Sequence, residues 1–296
     1  MDHIHEFITA LKADQSISAS TRNAYASDLT RFLEYLDQPD KQNHKPAVLN
    51  PKSFSKFLER ERKLGLKPST LHRRRASLKK YAEFLTERGL VEQSAVTEIA
   101  NWQRDLWEEI ANQQPVCLTD QQVERLMTGI GSENKPRNLR DKVIVSLILA
   151  LGLSIGTLVD LNLQDVNLRA KKLRIVDGDQ GWQGLGTSAR YLQEYLKESR
   201  PELTQSVNEE ALFVSQMGGR ITRQGVWQVV RAWGEAAGLS VPISPRTLRH
   251  TAVRKMIDKG KPVEDVQKLL GHRNRHSTQA LIRKINKSQE ERRNKS

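Results

Sequence analysis

Glycine and proline punctuate residues 244–281 so regularly that this stretch must fold as two short helices joined by a tight turn. The spacing predicts one helix over 247–258, closed by Gly260 as its C-terminal cap with Pro262 just beyond. Pro262 then suits the first turn of a second helix, which runs to Leu270 and stops at Gly271. Nitrogen-rich side chains collect at the ends of this pair: Arg246, Arg249, His250, His272, Arg273, Arg275 and His276. No run of carboxylates nearby balances them. A guanidinium fork matches two phosphate oxygens at once, so such helix ends suit a phosphodiester.

The first hundred residues read as helices with short loops. Tyr25, Leu29, Phe32, Leu33 and Leu36 recur at helical spacing behind Ser20, a suitable N-cap. A second helix covers 51–64 with Phe54, Phe57 and Leu58 inward and Gly65 closing it. A third starts at Ser69 and carries Leu71, Leu78, Tyr81, Ala82 and Leu85 on one stripe. It also carries His72, Arg73, Arg74, Arg75, Lys79 and Lys80, with Arg73, Ser77 and Lys80 read on a face away from the apolar stripe. That basic face is either a solvated surface or a helix that tracks phosphates or enters a groove.

Residues 93–117 read as a linker, within which Trp102, Leu106, Trp107 and Ile110 fit a short packing helix. From Leu118 the pattern changes. Thr119 caps a helix to Met127, residues 141–152 form a strongly apolar helix, and 173–176 read as a strand before a turn-rich hairpin at 178–186. Helices follow near 188–199 and 222–238. The fold class is therefore mainly α: a helical domain over 1–92, then a mixed, mainly helical domain over 118–296 with a small β-sheet and a basic tail.

Net charge +13 and a pI near 9.9 make a polyanion the first partner to consider. Residues 251–296 carry 13 basic against 5 acidic groups, so most of the excess sits on and after the helix pair. The single cysteine, Cys117, excludes an internal disulfide framework and fits a reducing compartment. His and Cys lack metal-ligand spacing, so neither a metal nor another cofactor is expected. No apolar run reaches membrane-spanning length and no leader pattern opens the chain, so a cytoplasmic, nucleoid-associated protein without a membrane partner is expected.

The sequence Leu248-Arg249-His250-Thr251, followed by Leu269-Leu270-Gly271-His272, resembles the signature of the tyrosine recombinase (phage integrase) family. That family shows His-x-x-Arg, a later Leu-Gly-His, and a nucleophilic tyrosine nine residues beyond. The likeness extends to a Xer-like two-domain architecture. Residues 18–32 are similar to the first helix of the family's SAM-like core-binding domain, and Ser69-Thr70-Leu71 with its basic run to that domain's DNA-facing helix. Residues 152–158, Gly-Leu-Ser-Ile-Gly-Thr-Leu, line up with Gly-Leu-Arg-Ile-Ser-Glu-Leu, whose arginine is catalytic in the family.

The resemblance implies strand cleavage in which two arginines stabilise phosphate oxygens, a lysine and a histidine move protons, and a tyrosine attacks. Position by position, this chain keeps Arg249 and His272. Ser154 stands for the first arginine, Arg246 for the first histidine and Leu281 for the tyrosine, while the hairpin around Asp177 and Asp179 has no lysine. Ser277 and Thr278 offer hydroxyls near Leu281 without an evident base. The expectation is therefore a protein that clamps double-stranded DNA without cutting it, not an enzyme, with Ser154, Arg246, Arg249, His272 and Leu281 as vestigial positions.

DNA contacts are expected from Arg73, Arg74, Arg75, Lys79, Lys80, Arg246, Arg249, His250, His272, Arg273 and Arg275, with base readout from the third helix and from Arg223 and Gln224. The alternatives are a recombinase with a non-standard or partner-assisted site, and an interaction module of a recombination complex. Self-association on DNA or an active recombinase partner fits all three. The tail after Ile285 reads either as a docking segment for a neighbouring copy or as a flexible basic tail.

Overall fold

The computed structural model describes residues 2–14, 17, 19–37, 51–104, 114–130, 136–175, 181–272 and 274–293. The chain divides into two compact units, Met1–Gln113 and Gln114–Ser296.

The first unit is built from α1 (Asp2–Ala13), α2 (Ala19–Leu36), α3 (Pro51–Lys63), α4 (Pro68–Glu87) and α5 (Gln93–Asn101). α4 starts one residue before Ser69 because Pro68, with its fixed φ and no N–H to lose, suits the first helical position. Ser20, expected as a cap, lies inside the first turn of α2. Phe7, Leu29, Phe32, Phe54, Phe57, Leu78, Tyr81 and Leu85 form the core, and Phe32 stacks on Phe54 with centroids 5.0 Å apart. α5 lies in the stretch expected to be linker, yet Ala95, Val96 and Ile99 are buried in this core against α3 and α4. The packing helix expected around Leu106, Trp107 and Ile110 lies outside the described residues.

The basic run on α4 divides into structural and surface groups. Arg74 is buried and pairs with both Asp28 on α2 and Glu61 on α3, with its Nε 3.3 Å from an Asp28 carboxylate oxygen. Arg73 pairs with the same carboxylate and donates to the Ala24 carbonyl at 2.9 Å. Arg75 is half-buried, and burial lowers its guanidinium pKa. Ser77 is fully buried and donates to the Arg74 carbonyl at 2.8 Å, so the face expected to be solvated is partly interior. These positions correct the reading of Arg74, and largely of Arg73, as DNA contacts: three helices meet there and the guanidinium groups balance carboxylates. Lys79 pairs with Glu83 at 3.5 Å, one turn on. Lys80 is exposed and makes no ion pair with another described residue.

The second unit is organised around α7 (Pro136–Leu151), whose Val143, Ile144, Val145, Leu147 and Ile148 are all fully buried. A helix apolar on every side belongs in the middle of a domain. Ahead of it, α6 (Asp120–Gly129) opens on a capping box between Thr119 and Gln122. After it, Gly152 turns the chain at φ +57 into α8 (Ile155–Asp160). A three-stranded antiparallel sheet follows: β1 (Val166–Asn167), β2 (Lys172–Ile175) and β3 (Gly181–Gly184), with Leu173 opposite Gln183 and Arg174 opposite Trp182. The Asp177–Asp179 turn lies outside the described residues.

α9 (Ser188–Glu194) runs through a π-helical turn, Tyr195–Ser199, into α10 (Arg200–Leu203). The last helices are α11 (Arg223–Ala236), α12 (Pro245–Asp258), α13 (Val263–Leu270) and α14 (Arg275–Arg293). α12 packs on α7, and α13 and α14 pack on each other around Val253, Val266, Leu270 and Ile285.

α11 is held close to the segment before α12 by a missing side chain. A Cβ on Gly234 would lie 2.5 Å from the Ile243 Cβ, and a β-branched neighbour cannot swing aside. Gly234→Ala is therefore expected to lower unfolding free energy by about 1–3 kcal/mol, the usual cost of overpacking, as read by urea denaturation.

Candidate nucleic-acid interface

The α12–α13 pair takes its shape from its caps. Ser244 accepts the Thr247 N–H at 3.1 Å and Pro245 fills the first helical position, so α12 begins before residue 247. Leu248, Ala252 and Val253 bury one face, while Thr251 accepts the Leu118 N–H at 2.9 Å and donates to the Thr247 carbonyl at 2.8 Å. Gly271 is left-handed at φ +60, its N–H donating to the Lys268 carbonyl at 3.0 Å and the His272 N–H to Gln267 at 3.2 Å. This closure returns His272 over the end of α13.

Two retained groups meet at that closure. The Arg249 guanidinium donates to the Leu270 carbonyl. The charge of Arg249 also reaches His272, whose pKa lies below the ordinary value through burial first and Arg249 second. His272 Nδ1 is 3.0 Å from the hydroxyl of Thr278 on α14, and Gln267 Nε2 donates to the His272 carbonyl at 2.9 Å. The imidazole is therefore fixed through Nδ1, leaving Nε2 for a ligand. Thr278 is fully buried. The sequence offered it as a hydroxyl without a base; the structure gives it an imidazole but no access to a phosphodiester, so it positions His272. Gln267 was missed as part of the site and Thr278 was weighed only as a hydroxyl near Leu281; their spacing around Gly271-His272 is the one signal of these roles.

Arg246 is exposed one turn before His250, its Nε 3.4 Å from His250 Nε2. His250 itself is buried, and its pKa is pushed down to about 4 by burial, then by Arg246 and Arg249. This corrects its reading as a DNA contact: a neutral, buried ring supports α12 instead. Because its folded pKa lies below the unfolded value, no stability is lost above about pH 6.5. As pH falls toward 4 the unfolded chain takes up a proton that the folded chain refuses. That component should reach on the order of 2 kcal/mol and be absent from His250→Gln, so the two proteins' urea midpoints should diverge at acid pH. Identical pH profiles would contradict the assignment.

The remaining positions are dispersed. Arg275 pairs with Glu264 at 2.7 Å on the surface, so a carboxylate does balance this arginine. Arg273 lies outside the described residues. Arg223 and Gln224 are exposed at the first two positions of α11, whose N-cap Thr222 accepts the Gly225 N–H at 3.0 Å. Ser154 caps α8 by accepting the Thr157 N–H at 3.0 Å. Leu281 is half-buried on α14 against the cluster around Val253, Val266, Leu270 and Ile285. The tail continues as helix to Arg293, with Ile285 buried and Gln289 donating to Asp258 at 3.2 Å, so its first part packs on its own unit. Among the described residues, no group of three or more His, Cys, Asp or Glu side chains is placed to hold a metal, and no helix is long and apolar enough to cross a membrane.

Comparison with known proteins places this geometry. The phage integrase family matches residues 117–287, and the phage integrase N-terminal SAM-like domain matches residues 4–89. The chain is 32% identical to tyrosine recombinase XerC of Roseiflexus castenholzii, covering 94% of this chain and 87% of that one. It is 29% identical to tyrosine recombinase XerD of Oceanobacillus iheyensis, over 93% and 91%. Among solved structures, the XerH site-specific recombinase bound to its palindromic difH substrate, a post-cleavage complex, matches with a TM-score of 0.69 at 19% identity, over 96% of this chain and 82% of that one.

These relatives overturn the expectation that the chain is not an enzyme: they match almost end to end and are named for an enzymatic activity. The departures at Ser154, Arg246 and Leu281 stand as differences in residue, not as evidence of a lost reaction. With both domain matches in order and the helical fold in agreement, the chain belongs to the phage integrase family, that of the tyrosine recombinases.

Proposed function

We propose that this chain grips duplex DNA and takes part in site-specific strand exchange within an assembly, binding a phosphate at Arg249 and His272 while another chain supplies the attacking hydroxyl. The observation that carries this reading is the Arg249–His272 arrangement at the Gly271 turn: a guanidinium steadied by the Leu270 carbonyl beside an imidazole steadied by Thr278. Groups fixed in advance of the substrate lose little on binding and act strongly on a charged oxygen. Arg246 adds a surface cation at the same helix end, and Lys80 one on the first unit. Gln224, exposed at the start of α11, suits a base edge. The net charge of +13 favours a polyanion throughout, and the XerC, XerD and XerH names favour recombination as the process. The outside hydroxyl follows from Leu281, which has none at the position where the family pattern puts a tyrosine.

Complementation tests the division of labour. A site is first selected from random duplexes, and a nicked duplex of that site is mixed with the wild-type chain and a Leu281→Tyr, Arg249→Gln copy of different tagged size. A covalent band on a denaturing gel is expected on the tyrosine-bearing copy in the mixture. Bound DNA with no covalent band in any mixture would remove strand exchange from the reading.

A further inference from the structure

The position of the family's first arginine is held here by Ser154, yet a guanidinium stands beside it. A Cβ built on Gly156 would lie 3.1 Å from Arg223 Nη2 and 3.6 Å from its Cζ, and 3.6 Å from the Ser154 hydroxyl oxygen. Arg223 thus reaches from the first turn of α11 across onto the 154–156 segment, and α11 and α8 pack together. It makes no hydrogen bond or ion pair with another described residue, so its fork is not committed to a carboxylate.

Two features of the 154–156 segment leave room for it. Ser154 is short and turned into the cap of α8, and Gly156 has no side chain, although glycine within a helix turn costs stability. The aligned family pattern has arginine and serine there. A serine Cβ at 156 would lie 3.1 Å from Arg223 Nη2, so the fork would have to move off its present place by a few tenths of an ångström. The turn leading to Ser154 rests on the helix pair that carries Arg249: a Cβ on Gly152 would lie 2.5 Å from Leu269 Cδ2 on α13 and 3.7 Å from the Ala252 Cβ on α12.

We propose that Arg223 supplies from α11 the guanidinium that the family pattern supplies from position 154, making it the second arginine of the phosphate site rather than a base contact. This rests on the reading of Arg249 and His272 as that site. Two forks on one phosphate divide its non-bridging oxygens, which one arginine and a serine hydroxyl do not accomplish.

The test is a set of variants assayed for binding to one selected duplex by fluorescence anisotropy across a salt series, with thermal melts as a folding check. Arg223→Gln is expected to weaken binding about tenfold and to reduce the salt slope by about one. Adding Ser154→Arg in that background should restore most of the loss, because it returns a guanidinium to the same place. Gly156→Ser should weaken binding in the wild type and change nothing once Arg223 is glutamine. Full affinity in Arg223→Gln, or a loss that Ser154→Arg does not rescue and that adds to Gly156→Ser, would overturn the relocation. Arg249→Gln separates the two claims. If it leaves binding intact the phosphate site itself fails, whereas if it weakens binding while the Arg223 series behaves additively, only the relocation fails.

Discussion

Replacing Arg249 with glutamine is expected to weaken duplex binding by about thirtyfold, roughly 2 kcal/mol, with little change in unfolding. The side chain is half-buried and already aimed by its hydrogen bond to the Leu270 carbonyl, so binding need not order a long flexible group. Glutamine removes the charge and the fork together. Arg249→Lys keeps the charge alone and should recover only part of the loss. A second readout is internal to the protein. Burial and then Arg249 hold the His272 pKa down, so losing the arginine should let that histidine titrate nearer its ordinary value in an NMR pH series. Unchanged affinity together with an unmoved His272 titration would remove Arg249 from the site.

Arg74→Ala is expected to destabilise the chain by about 3–5 kcal/mol, the usual consequence of taking one partner from a buried ionic cluster. Both carboxylates are buried: Glu61 would lose the arginine it pairs with, and Asp28 would keep only the half-buried Arg73. Burial already raises the Asp28 pKa, opposed first by Arg73 and then by Arg74, and lowers that of Arg74, opposed by Asp28. Urea unfolding followed by circular dichroism reads the loss. Lys80→Ala provides the contrast: it should leave unfolding alone, weaken duplex binding about threefold and lower the salt slope by about one. If Arg74→Ala proved as stable as the wild type and instead lost DNA affinity, the original surface reading of Arg74 would return.

That contrast shows where sequence reasoning succeeded and where it fell short. The helix pair at 244–281 was legible because glycine and proline leave the backbone few options, and Gly271 does adopt the left-handed cap. The apolar helix α7 was equally plain. Arg74 was misplaced because a run of basic residues draws attention to charge rather than to position. Its spacing held the answer: it lies three residues after Leu71 and four before Leu78, on the apolar stripe. Asp28 lies between Tyr25 and Phe32 in the same way, and Glu61 follows Phe57 and Leu58. Matched opposite charges on the inner stripes of three helices mark a buried ionic cluster.

Other parts were less accessible. Nothing local in residues 286–293 requires helix, since few apolar side chains follow Ile285; α14 is held by Ile285 and by Gln289 reaching Asp258, contacts between segments distant in sequence. The approach of Arg223 to Gly156 joins positions far apart in the chain and has no periodic signal at all. The family pattern located Arg249 and His272, but it scored the other positions as present or absent. Reading those differences as a lost reaction led to the exclusion of enzymatic activity, which the named relatives overturn.

The central claim is that this chain recognises a duplex site through its own phosphate-binding groups, and selection of bound duplexes from a random library at about 0.1 M salt tests it most directly. The account predicts enrichment of a defined sequence, arranged as an inverted repeat if copies pair on DNA, with affinity that falls steeply as salt rises. Absence of any enriched duplex, with no retention of DNA even at low salt, would contradict it.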